Sequence, residues 1–429
     1  MSPEPSGSRG AGAMSIDDLA KSEAFGGNKG RREQISWLPE PAPRQPVYTV
    51  ISVDDHVVEP PDAFTGRLPR KFADEEPRVV ATDDGGEAWV WQGQVLPNVG
   101  FNAVVGRPST EYGFEPTRFD EMRRGAWDVH ARVADMDVDG VWASLCFPSF
   151  LPGFVGQRLT LWPDDDELAL AAMRAYNDWH LDAWCDAEPG RFIPNQIAYL
   201  RDPHLAADEI RRNATRGFKA VTFSEAPDKL GLPTIHSGHW DPLFAACAET
   251  GTVLCLHVGS SGTSPTTSAD APPEIPAVLF GAYGMYSAVD WLYSKVPVRF
   301  PDIRICLSEG GIGWVAGILD RLDHCYRYQL GYLPTWRDVD RPPSDVMRRN
   351  FWFCALDDDA GMLVRDRIGV DHILVESDYP HADSSWPDTQ AMLTRQLRDQ
   401  GVPAADARRI TWQNASELFR HPVPDALRR

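Results

Sequence analysis

The sequence predicts an α/β protein built as a (β/α)8 TIM barrel, with a β-hairpin-containing insertion after strand one and a flexible N-terminal arm. Short apolar runs recur along the chain, helix-like stretches alternate with them, and polar residues gather just after the runs. The runs cover residues 48–53, 140–147, 192–199, 218–223, 252–257, 303–308, 351–355 and 372–376, and are nearly continuous in apolar residues. That pattern suits parallel strands covered on both faces, and eight such units suit a closed barrel better than its rival, an open doubly wound sheet.

Helices are expected over 132–138, 166–186, 203–215, 241–250, 275–295, 312–329 and 359–368, then 388–399 and 404–419. Gly217 and Gly251 stand where a helix should stop. One interval, 62–131, breaks the rhythm. Its segments 78–81 and 88–96 flank Asp83-Asp84-Gly85-Gly86 and read as a hairpin. An insertion after strand one lies at the barrel mouth, where it serves as a lid or a structural flap. Residues 1–46, rich in Gly, Ser, Pro and charge, read as a flexible arm available to wrap a neighbouring subunit. The barrel itself is expected over 47–421.

Composition excludes several partners. A net charge of −20 repels nucleic acid and anionic membranes. No apolar stretch approaches the roughly 20 residues of a membrane span, and no secretory leader is evident. The cysteines (Cys146, Cys185, Cys247, Cys255, Cys306, Cys325 and Cys354) are scattered without a Cys-x-x-Cys pair. They read as reduced, buried small hydrophobes of a cytoplasmic protein.

Polar residues at the strand tips carry the functional reading. Residues two apart in a strand share a face, so Asp54 and His56 point the same way, as two ligands of one ion must. Ser377-Asp378-Tyr379-Pro380-His381 follows the last strand, and in a closed barrel first and last strands are neighbours. His257 ends strand five, and Ser308-Glu309-Gly310-Gly311 follows strand six. Each has a bland rival: a strand-ending Asp, a histidine satisfied by backbone, a turn cap at Asp378, a helix cap or Arg321 pair at Glu309.

In combination and order, these motifs resemble the amidohydrolase superfamily, in the branch of aminocarboxymuconate-semialdehyde decarboxylase and the metal-dependent hydroxybenzoate decarboxylases. Ile410-Thr411-Trp412-Gln413-Asn414-Ala415 through Leu418-Phe419 resembles the branch's terminal helix. The resemblance implies one divalent ion, Zn2+ or Mn2+, on Asp54, His56, His257 and Asp378. It implies Asp378 and Glu309 as proton carriers, and His381 beside them. Glu309 departs from relatives with histidine there, and Asp54 from those with histidine in the first pair. Phe147, His324 and Trp386 are expected around the substrate, with Phe150 and Phe154 adding aromatic surface. A homodimer or homotetramer is expected from relatives.

The favoured reaction is hydrolysis of a small, planar or aromatic carbonyl compound by metal-activated water. The alternative is non-oxidative decarboxylation of an aromatic or unsaturated acid, for which Arg107, Arg118 or Arg158 would have to reach in. A metal-free glycosidase using Glu309 and Asp378, or a non-catalytic binding protein, lies further off.

Overall fold

The computed structural model describes residues 13–15, 35–113, 116–149, 151–268, 270–272 and 274–428. Most of the expected N-terminal arm, and Phe150, lie outside the described residues.

The barrel strands are β1 (Val50–Val57), β2 (Val141–Pro148), β3 (Asn195–Ile197), β4 (Ala220–Ser224), β5 (Val253–His257), β6 (Ile305–Ser308), β7 (Phe351–Ala355) and β8 (Ile373–Val375). All their pairings are parallel, and the order around the sheet is β2-β1-β8-β7-β6-β5-β4-β3. A parallel bridge between Ser144 and Phe192 spans the remaining gap between β2 and the segment entering β3. First and last strands therefore lie side by side.

The two-residue period divides the strands cleanly. Ile51, Val53, Ala143, Leu145, Val253, Cys255, Cys306, Cys354 and Leu374 fill the barrel, and Trp412, Leu418 and Phe419 join them from the C-terminal segment. Alternate residues, such as Val221, Phe223, Leu254, Leu256, Leu307 and Phe353, pack outward under the helices. The cysteines are all free, and all but Cys325 are buried, as small hydrophobes should be.

The surrounding helices include α1 (Val129–Asp139), α2 (Asp166–Trp179), α3 (Pro203–Arg216), α4 (Asp241–Thr250), α5 (Phe280–Tyr293) and α6 (Val315–Tyr328). Asp128, Asp165 and Asp202 accept backbone N–H bonds at the starts of α1, α2 and α3. Gly140, Gly217 and Gly251 follow α1, α3 and α4 in the left-handed region. The stretch 275–295, expected as one helix, is Glu274–Val278 followed by α5, and Lys295 at φ 60° separates α5 from a further turn, Val296–Arg299. The expected 166–186 helix continues beyond α2 as a π-helical turn, His180–Cys185. The two C-terminal helices are likewise broken by π-helical turns, Thr394–Arg398 and Arg409–Gln413.

The insertion holds a three-stranded antiparallel sheet, Arg78–Ala81, Glu87–Trp91 and Gln94–Leu96. The expected second arm of the hairpin divides at Gln92-Gly93, where φ is 47° and 74°, the doubly positive pair of a tight turn. Trp89 and Trp91 are buried and anchor this sheet, with Trp89 edge-on to Phe64. Residues Ala13–Ser15 pair antiparallel with Thr263–Pro265.

His180 is fully buried, stacked on Tyr176, and neither ring nitrogen has a hydrogen-bond partner. Burial pushes its pKa down to about 3. Its folded pKa lies below the unfolded value, so the unfolded chain takes the proton first and stability falls as pH drops below about 6.5. Urea unfolding at pH 7 and pH 5 should show His180→Phe losing about 2 kcal/mol less than wild type over that interval.

Candidate metal centre

The centre begins with β1 and the loop after β8. The register of β1 against β2 shifts between Ser52 and Asp55. Asp54 and His56 face the barrel axis, while the carboxylate of Asp55 between them is turned away. Asp55 accepts hydrogen bonds from Ser52 Oγ at 3.0 Å, Ser377 Oγ at 2.6 Å, the Tyr379 N–H at 3.0 Å, and Ser144 Oγ. It therefore ties β1, β2 and the β8 loop together. Asp378 N–H donates to Asp54 O at 2.9 Å, fixing the second half of the centre against the first.

From α1, buried Arg132 donates to Gly125 O at 2.7 Å and to His56 O, and its guanidinium lies 4.2 Å from the Tyr379 ring centroid. Neither this arginine nor the structural role of Asp55 was apparent in the motifs. The serines at neighbouring strand tips, Ser52, Ser144 and Ser377, were the available signal.

His56 Nε2 and His257 Nε2 face each other at 3.0 Å. Asp54 Oδ1 is 3.6 Å from His56 Nε2, Asp54 Oδ2 is 3.5 Å from His257 Nε2, and Asp378 Oδ1 is 3.6 Å from His56 Nε2. Ligand atoms about 2.1 Å from an ion lie about 3.0 Å apart at a right angle and about 3.4 Å apart at a tetrahedral angle, so these separations are those of donors around one ion. Both oxygens of Asp54 and of Asp378 are buried with no hydrogen-bond partner. Nδ1–H of His257 donates to Val258 O at 2.7 Å, which leaves its Nε2 lone pair aimed at the cluster.

Electrostatics agree with the geometry. Burial, then repulsion among carboxylates, raises Asp54, Asp378 and Glu309 well above their ordinary values. Burial lowers His56, and brings His257 down to about 3. A divalent cation relieves both sets of strain together. The donor set fits one such ion.

Glu309 follows β6 at φ 57°, with its N–H donating to Glu376 Oε2 at 3.0 Å. Its Oε2 lies 3.5 Å from His257 Nε2, so it faces the centre rather than exposed Arg321. Gly284 of α5 is required by packing: a Cβ there would stand 2.9 Å from the Cα of Gly310, which follows Glu309. His381 Nδ1 is 3.1 Å from Asp378 Oδ1, and its ring stacks on His56 at 3.8 Å.

A cavity of about 160 Å3 opens above these groups. Glu309 and His381 line it together with Phe101, Phe154, Val258 and Phe280, while Asn102, Ser264 and Asp383 supply further polar groups. Phe101 and Asn102 come from the insertion, which thus contributes to the mouth. Phe154 lies 4.7 Å from the His56 ring and 4.6 Å from that of His257.

Three expected pocket residues stand elsewhere. Phe147 is buried on β2 against the two histidine rings rather than along the cavity. Trp386 packs behind Tyr379, its Nε1–H donating to Asp135 O at 3.1 Å and Arg123 lying over its ring. His324 is exposed beside Tyr328, because α6 buries Val315, Leu319 and Leu322 and so turns His324 to the outside. Arg107, Arg118 and Arg158 do not line the cavity either: Arg107 donates to Glu121 O and Arg118 pairs with Asp120.

Among the described residues no helix is long and apolar enough to cross a membrane. A family model described as amidohydrolase matches residues 91–421. No curated protein matches the sequence. An amidohydrolase from Mycobacterium avium subsp. paratuberculosis K-10 is similar in structure, with 25% identity, a TM-score of 0.66, and 87% of this chain and 99% of that one covered. A 5-carboxyvanillate decarboxylase from Novosphingobium aromaticivorans, complexed with manganese, has 18% identity and a TM-score of 0.60 over 87% of this chain and 96% of that one. A 2,6-dihydroxybenzoate decarboxylase from Rhizobium has 16% identity and a TM-score of 0.57 over 87% and 99%. The last two likenesses establish the shared fold.

Protein purified without added metal should carry close to one equivalent of a divalent ion by elemental analysis. His257→Ala and Asp378→Ala should each weaken metal binding at least about tenfold in chelator competition. Gly284→Val, which forces the 309–311 loop aside, should retain metal and lose most turnover.

Proposed function

Because the chain belongs to the amidohydrolase family, we propose that it is a divalent-metal-dependent decarboxylase of a small planar acid, aromatic or unsaturated. The observation that carries this reading is the phenylalanine-walled cavity set directly on the donor cluster, with the Glu309 carboxyl group at its edge. The decarboxylases that share the fold support it.

Asp54, His56, His257 and Asp378 would hold the ion, and two nitrogen plus two carboxylate donors suit Mn2+ or Zn2+. Manganese in the Novosphingobium enzyme favours the former. When bound, the ion supplies a Lewis acid that draws charge from an oxygen-bearing substrate. Phe154, packed on both histidine rings, keeps water from the reacting face, and Phe101 and Phe280 flank a planar ring. An apolar wall favours dispersal of the carboxylate's charge, as neutral CO2 departs and the C–C bonding pair stays on the substrate carbon. Glu309 is placed to deliver a proton to the carbon that the carboxylate leaves, and His381 stands beside Asp378, its Nδ1 3.1 Å from Oδ1.

Hydrolysis of a neutral carbonyl compound is the second reading, and one observation favours it: among the described residues no Lys or Arg lines the cavity. Assays of CO2 release on a panel of hydroxybenzoates and related acids separate the two. Turnover is expected, and Glu309→Gln should lower it by about 100-fold with metal content unchanged. Absence of CO2 release from every acid, with cleavage of neutral esters or lactones, would replace the proposal by hydrolysis.

A further inference from the structure

An acid entering this cavity meets an electrostatic problem. Glu309 lies at the inner edge and Asp383 at the mouth, and the described lining residues include no Lys or Arg to offset either, His381 being the one lining base that acts on Asp383. Asp383 is felt electrostatically by Asp378, Glu309 and His381, so it belongs to the same field as the donor cluster. A divalent ion would neutralise charge at the inner end but leave the mouth acidic.

The outer part of the cavity has another character as well. Phe101 and Phe280 present aromatic surface, and Tyr112 stands close enough to Asp383 to be raised by its charge. Aromatic faces attract cations, most strongly where water is thinned. Ser264, on the short strand Thr263–Pro265, lines the cavity with a buried hydroxyl oxygen that has no hydrogen-bond partner. An oxygen held in that way accepts an N–H at little cost.

We propose that the substrate carries a protonated amino group at the end remote from the reacting carbon, held by Asp383 at the mouth among the cavity's phenylalanines, with Ser264 accepting one N–H. The inference rests on the proposed reaction only in placing the reacting end at the donor cluster. An amino acid of this kind enters as a zwitterion without net charge, which is how an acid reaches a cavity ringed by carboxylates. Asp383 is then a specificity-determining residue, remote from the bonds that change.

Calorimetry on the metal-loaded, full-length protein tests this with 4-(aminomethyl)benzoate, 4-methylbenzoate, terephthalate and benzylamine. The aminomethyl acid should bind about tenfold tighter than its methyl counterpart, and terephthalate more weakly than either. Asp383→Asn should remove most of that preference, and Asp383→Lys should reverse it towards terephthalate, with unchanged metal content and circular dichroism. Equal binding of the aminomethyl and methyl acids, or a preference that survives in Asp383→Asn, would overturn the proposal. Benzylamine binding that depends on Asp383, in a protein releasing no CO2 from any acid, would support amine recognition and reject decarboxylation. CO2 release without dependence on Asp383 would do the reverse.

Discussion

The carboxylate of Asp55 is the constraint on which the centre depends. It lies between two residues of the donor cluster yet faces away from that cluster, where three serine hydroxyls and one backbone N–H saturate it. Those donors come from β1, from β2 and from the loop after β8. One buried charge thus sets the relative position of Asp54, His56 and Asp378, which are separated by more than three hundred residues of chain. Coulomb repulsion among the facing carboxylates would otherwise push these segments apart. Arg132 lies behind them, bound to His56 O and stacked on Tyr379, and supplies a buried positive charge.

The same principle explains why the chain can afford so many acids at one barrel end. Asp54 and Asp378 leave all four oxygens without hydrogen-bond partners, which in a buried site is unfavourable by a few kcal/mol per group unless a cation is present. Asp55 and Glu225 show the contrast: Glu225 is buried too, but the Ser260 and Ser261 hydroxyls satisfy it. Carboxylates built to stay in place are surrounded by hydroxyls. Those built to bind are left bare.

Much of this was legible in the sequence because it depends on period and order. Each expected strand appears, and the four side chains expected as ligands from the strand tips and the family resemblance lie together at one end of the barrel. What failed depends on three-dimensional direction. Trp386 lies near the β8 motif in sequence, but its indole N–H is satisfied by Asp135 O and draws the ring behind Tyr379. His324 is set by the buried stripe of α6 rather than by its distance from Glu309. Asp383, Ser264 and Phe280 come from a loop, from a three-residue strand outside the barrel and from a helix whose orientation no periodicity specifies. The π-helical turns were equally invisible, since they are single widened turns inside runs that otherwise read as helix.

Glu309 and Asp378 share one feature: both hold left-handed backbone conformations, at φ 57° and 50°. For residues with a Cβ, that conformation costs on the order of 1 kcal/mol or more each. Glycine would relax both positions, and would erase the proposed proton carrier at one and the proposed metal donor at the other. The barrel therefore carries a small, permanent deficit in folding stability at its business end, and selection for robustness alone would push both positions away from activity. Variants that gain melting temperature there should be read as signs of the donor cluster being dismantled.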